Sequence, residues 1–192
     1  MGRWPIDDER LRAMYAGGKA NDDAKWFVRL WSKVFATGVA PRRLVTLEVR
    51  GRRTGRAMRI PMVLADVGGR WYLVSMLGEC NWVKNVRAAD GRATLIHGRP
   101  RACALVEVPV AERGPILQRY VQKANGGRPH IPVPVGSPVA EFQAVADRYP
   151  VFELFTEQPD AAPRPFRPSR SWVPGAMVGI TAAAMVMKVS RA

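Results

Sequence analysis

Short β-branched runs, Gly- and Pro-bearing turns between them, and helical stretches inserted before the last run predict a mainly β (α+β) fold. Strands this short, spaced by turns and followed by a crossing helix, favour a barrel of about six strands with flanking helices over a parallel sheet. A chain of 192 residues, 47% of them hydrophobic, is long enough for one domain with a sizeable core and too short for two ordinary ones.

The first element is a helix over 22–36, D-D-A-K-W-F-V-R-L-W-S-K-V-F-A. Asp22 or Asp23 supplies a cap, and Gly38 stops it. Trp26, Leu30 and Val34 form one apolar row at i, i+4 spacing, and Phe27, Trp31 and Phe35 form another. Lys25, Arg29 and Lys33 fill the opposite face. The pattern fits a helix packed on the barrel, and it also fits a basic, aromatic helix lying on an anionic membrane. Strands follow at about 43–50, 57–66, 70–76, 92–97 and 101–109, with alternation plain in Val45, Leu47, Val49 and in Ile60, Met62, Leu64. Asp66-Val67-Gly68-Gly69 and Gly98-Arg99-Pro100 mark turns between them. A helix over about 111–124, a Pro/Gly-rich link, a helix over 138–148 and a last strand at Val151–Phe155 complete the barrel.

The chain divides into an N-terminal helical segment (1–40), the barrel (41–157) and a C-terminal remainder (158–192). That remainder opens with a linker of four prolines and three arginines and continues as an apolar run, Trp172–Val189. The run reads as a docked helix, a partner-binding segment or a marginal membrane anchor. Met1 to Arg10 is polar and charged with no apolar stretch behind it, so no signal peptide is expected and the location expected is cytoplasmic, with membrane contact through the first helix or the tail left open. Cys80 and Cys103 form no C-x-x-C pair, and His97 and His130 stand alone. Neither a zinc site nor a disulfide framework is implied.

The formal charge of +14 comes mostly from 24 arginines. Arg suits planar recognition of phosphate or carboxylate, although codon bias in a GC-rich genome would give the same skew. The charge is concentrated: residues 42–59 hold seven Arg against the single Glu48. Within this span lies G-R-R-T-G-R-A-M-R-I-P (51–61), a tight turn between two strands. Its glycines permit positive φ and leave the backbone bare, so amides and guanidiniums together could receive an anion. Taken alone, such a turn reads equally as a solvated loop.

A second motif lies downstream: Ser75-Met76-Leu77-Gly78, then Asn81-Trp82-Val83-Lys84-Asn85, then the turn Ala89-Asp90-Gly91. The hairpin followed by S-x-x-G and W-x-x-N resembles the deazaflavin-dependent nitroreductase and quinone reductase family, over roughly residues 42–110. The resemblance implies a split β-barrel of the flavin-reductase/PNPOx-like kind and coenzyme F420 as cofactor. It implies hydride transfer from F420H2 to a small-molecule electron acceptor: a quinone, a nitroaromatic or an activated alkene.

On the matching positions, the resemblance assigns the anionic tail of the cofactor to Arg52, Arg53 and Arg59, with Thr54 and Gly55 as donors. Strand alternation puts Ile60 and Met62 on one face and Pro61 and Val63 on the other, and one of those faces should lie along the ring. Ser75, Met76 and Gly78 match the second cofactor segment, where relatives often carry Lys in place of Met76. Trp82 and Asn85 match the third, although Trp82 would equally suit a core. Ser75 is the weak candidate for proton delivery, while Tyr120 and Tyr149 suit core or surface positions better. An FMN-binding split barrel is the alternative enzyme, but one phosphate would under-use about four guanidiniums. A basic nucleic-acid binder is the non-catalytic alternative, weakened by the absence of interleaved aromatics and of any helix-turn-helix, zinc-finger or RNP pattern. The reading expects no nucleic acid partner and leaves a homodimer open.

Overall fold

In the computed structural model, described for residues 8–15 and 20–156, the strands close into one barrel. They are β1 (Leu44–Arg50), β2 (Ala57–Val67), β3 (Arg70–Val74), β4 (Arg92–His97), β5 (Arg99–Glu107) and β6 (Val151–Thr156). Their order around the barrel is β1-β2-β3-β6-β5-β4, and every neighbouring pair is antiparallel. The helices are α1 (Asp8–Ala13), α2 (Asp22–Ala36), α3 (Asn81–Ala88), α4 (Arg113–Lys123) and α5 (Val139–Ala144). The six expected strands form, with ends shifted by one or two residues. The helices expected at 111–124 and 138–148 are present with 3-10 turns, at Val110–Glu112 and Ala146–Arg148. α1 was not anticipated. The linker and apolar run at 158–192 lie outside the described residues.

Period-two alternation sorts β2 and β3 between two cores. Val45, Leu47, Val49, Met62, Leu64, Leu73, Leu95, Leu105 and Phe152 point into the barrel, and Trp82, Val83 and Val86 of α3 close one end of it. The outward residues of β2 and β3 make a second core with Leu117, Val121 and Phe142 of α4 and α5. Ala65, Tyr72 and Val74 are its sheet-side members. Each fully buried Leu or Val contributes roughly 1.5–3 kcal/mol, so both layers are needed to stabilise a chain of this size.

α2 differs from the sequence reading in two respects. Its cap is Asn21, whose side chain accepts from the Ala24 amide at 2.8 Å, and neither Asp22 nor Asp23 serves. Its packed face carries Ala24, Ser32 and Phe35, with Phe27 and Trp31 half-buried beside them; Trp26, Leu30 and Val34 are turned to solvent. The reason is polar. Ser32 Oγ donates to the carbonyls of Val28 and, more weakly, Arg59, and buried Thr46 Oγ1 donates to the Ser32 carbonyl at 2.6 Å. These bonds fix the rotation of α2 over β1 and β2, and a one-row turn of the helix would leave Thr46 unsatisfied inside the molecule.

Candidate functional site

The β1–β2 hairpin, the loop after β3 and the start of α3 meet at one end of the barrel. At the hairpin tip the Gly51 amide donates to the Arg56 carbonyl and the Gly55 amide to the Gly51 carbonyl, which tightens the turn. Gly55 has φ +66°, with open space where a Cβ would stand. The Arg52 amide donates to Asn85 Oδ1 at 3.2 Å and its guanidinium to the same oxygen at 2.9 Å. A longer contact, 3.5 Å, joins the Arg52 guanidinium to Asn81 Oδ1. Asn85 is buried, so its amide is the fixed post to which the tip is tied.

Two cations remain at the tip. The guanidiniums of Arg53 and Arg56 are exposed and have no acidic partner among the described residues, and the amides of Arg53 and Thr54 have no protein acceptor there. α3 begins at Cys80 with no side-chain capping bond, and the contact between Arg52 and Asn81 sets its first turn near the tip. Bare amides and unpaired guanidiniums are the groups that anion recognition uses. Arg56 and Asn81 belong to this arrangement, and the motif match alone did not single them out. Arg59 is in a different state: its Nε donates to Glu48 Oε2 at 2.8 Å across the strand pair.

β2 presents Arg59, Pro61 and Val63 outward, while Ile60 and Met62 pack into the barrel core. Pro61 and Val63 therefore lie on the face turned away from the barrel interior, where Val63 also packs against the second core. α2 reaches the Arg59 carbonyl on one side of this strip, and α4 reaches Asp66 through Arg119 on the other, at 2.8 Å. Met76 packs against the same cluster as Val63, which brings the loop after β3 to the strip.

Ser75 and Trp82 are both buried. The Ser75 hydroxyl is buried, donates to the Gly78 carbonyl at 2.6 Å and stands 3.2 Å from Cys80 Sγ. These contacts brace the loop. The Trp82 indole is buried, its centroid 5.5 Å from that of Phe152. Trp82 therefore plugs the barrel and holds α3 in place for Asn85. Tyr120 is wholly buried and its phenol is pushed well up by burial; Tyr149 donates to the His130 carbonyl at 2.9 Å. Both are core tyrosines.

A network behind the site fixes the loop. Arg87 of α3 pairs with Glu79 and Glu107, each at 2.7 Å, and buried Arg113 donates to Glu107 and to the carbonyls of Val108, Ala146 and Tyr149. These partners hold the Glu107 carboxyl below its usual range, Arg87 first among them.

A family model described as F420H(2)-dependent quinone reductase matches residues 29–133. No curated protein sequence matches the chain at a significant level. Among solved structures, an F420-H2 dependent reductase (FDR-A) is 22% identical, with 60% of this chain and 96% of that chain covered and a TM-score of 0.40. An FAD-binding protein from Mesorhizobium loti is 14% identical over 67% of this chain and 89% of its own, TM-score 0.41. An F420 reductase is 13% identical over 66% and 93%, TM-score 0.36. With the family model spanning more than half of a chain that folds as a closed six-stranded barrel, the protein belongs to the F420H(2)-dependent quinone reductase family and is an oxidoreductase that depends on coenzyme F420.

Proposed function

We propose that the protein transfers a hydride from reduced F420 to a quinone, a nitroaromatic or an activated alkene, with the cofactor's anionic tail at the β1–β2 hairpin. The observation that supports this reading is the hairpin tip, where Arg53, Arg56 and two backbone amides lie without protein acceptors beside the uncapped start of α3. Arg52 stands at the inner edge, oriented by Asn85, and Thr54 and Gly55 shape the tip. Arg59 sits further along β2 and would join the tail by leaving Glu48, an exposed ion pair that costs little to break. Pro61 and Val63 supply the apolar floor for the ring. Met76 and Gly78 border it, with Met76 contributing a polarisable thioether where a cation would otherwise stand.

When bound, reduced F420 supplies the hydride; the residues of this chain bind it, orient it and keep water from one side of its ring. Ile60, Met62 and Trp82 serve from behind, as the packing that keeps β2 and α3 in place. The test is quenching of intrinsic or cofactor fluorescence in a competition between oxidised F420 and FMN. F420 is expected to bind in the micromolar range or tighter and FMN much more weakly. Equal affinity for the two would show that the hairpin does not read the longer anionic tail.

A further inference from the structure

A groove of about 230 Å³ runs over the outer face of the sheet, between β3, β5, β6 and the start of α4. Strand register builds its floor. Tyr72 of β3 and Val106 of β5 stand on either side of Glu153 of β6, so the three share one outward row. Pro109, Glu112 and Pro115 form the wall beyond them. The layer of α4 and α5 covers Tyr72 but leaves Val106 54% exposed, and Phe155, next on the same face of β6, is 47% exposed. The groove is also acidic, in a chain whose formal charge is +14. Glu112 has no basic partner among the described residues, and Glu153 reaches Arg70 only at 3.4 Å. Glu107, on the same lining, is already held by Arg87 and Arg113. Glu112 and Glu153 are therefore the carboxylates open to a further cation.

We infer that this groove receives the chain's own segment Pro163–Arg170, P-R-P-F-R-P-S-R, with its arginines on Glu112 and Glu153 and its prolines against Tyr72 and Val106. The segment lies outside the described residues, and spacing, tether and charge all match it to the groove. Proline-rich chains favour a helix of three residues per turn, and at that period Arg164, Arg167 and Arg170 fall in one row with Pro165 and Pro168 in the next. Grooves floored by an aromatic ring bind such segments, and a planar guanidinium suits a carboxylate. β6 ends at Thr156, and the seven residues from there to Pro163 span at most about 25 Å. Glu153 lies three residues back along the strand, about 10 Å, so the chain can turn and lie over the groove. A tether this short gives the segment a roughly millimolar local concentration, which a separate molecule would not match. Charge sets two other occupants aside. The run 172–189 has Lys188 as its one charged residue. A second copy apposed on the same face would set Glu112 and Glu153 against their own counterparts.

The photo-cross-linking change Phe166→p-benzoylphenylalanine in the full chain tests this, with the linked peptides mapped by mass spectrometry. Irradiation of dilute protein should join position 166 to Tyr72, Val106 or the 107–115 stretch of the same chain, and raised salt should lower the yield. Glu112→Lys with Glu153→Gln should lose that link, and so should the triple change Arg164→Glu, Arg167→Glu, Arg170→Glu. Both sets together pair Lys with Glu and should recover part of it. Glu112 is exposed and Glu153→Gln keeps the side-chain shape, so melting curves should stay close to the parent's. The arginine set alters no residue of the barrel, and it carries the test if a groove variant fails to fold. A link to another region, such as the β1–β2 hairpin, overturns the inference. So does a link that joins two chains, which would seat the segment on a second copy. A link that survives every charge variant, or no link at all, overturns it as well; the last would leave the groove to a separate cationic partner.

Discussion

Arg53 and Arg59 lie six positions apart, yet one guanidinium is unpaired and the other is held by Glu48. Their substitutions should therefore differ. A charge-assisted contact is worth about 1.5–3 kcal/mol, so Arg53→Ala should weaken F420 binding roughly tenfold or more. Arg59→Ala should weaken it less, because an exposed pair must first be broken and offsets part of the gain. Glu48→Gln removes that competition and should tighten binding severalfold. Isothermal titration of the three variants, each with its melting curve, checks the set. An unchanged affinity in Arg53→Ala with a normal melt would reduce the hairpin tip to a solvated turn.

Among the elements, buried Arg113 of α4 ties the end of β5 to the turn before β6. Replacing Arg113 with Met removes the side-chain donor of the Val108 and Tyr149 carbonyls, while Glu107 keeps Arg87. Leaving buried carbonyls without a donor costs about 1–3 kcal/mol, and a urea melt should show a loss of that size with the midpoint moved and the slope unchanged. Arg87→Ala touches half-exposed carboxylates and should cost far less. The β2 strip shows why element-level reading from sequence is partial. Alternation separates Ile60 and Met62 from Pro61 and Val63, and this much is legible in the chain. Which set faces a ligand depends on the barrel's closing inward over Leu64, Leu73 and Phe152, which no local pattern states.

For the molecule as a whole, acid should act in two stages. His97 and His130 are held below their ordinary range by burial first, then by nearby arginines. The unfolded chain binds those protons more readily, so their share of stability is complete above about 6.5 and falls as pH drops below it. Asp66 and Glu107 are also depressed, by hydrogen bonds from Arg119 and Arg87. Their contribution is present above about 4.5 and is lost as pH falls further. Thermal melts across pH should show a plateau at neutrality, a shallow decline through the histidine range and a steeper one below it. Glu107→Gln should flatten the lower branch. Deleting residues 158–192 should leave a folded, F420-binding barrel, because β6 closes the sheet by Thr156; a deletion that fails to fold would place part of the tail in the core.

Six short alternating strands, the Gly-bearing arginine hairpin and the S-x-x-G and W-x-x-N spacings are local features, each set by residue type within a few positions. The sequence by itself therefore determined the strand set and the family. Rotation of α2, inward packing of Trp82, burial of Ser75 and the pairing of Arg59 with Glu48 depend on atoms brought together from far along the chain. Thr46 and Ser32 turn α2, Phe152 receives Trp82, and the neighbouring strand supplies Glu48. Only closure of the barrel brings these partners within bonding distance, which is why tertiary structure decided which of the matching residues face outward and which support them from within.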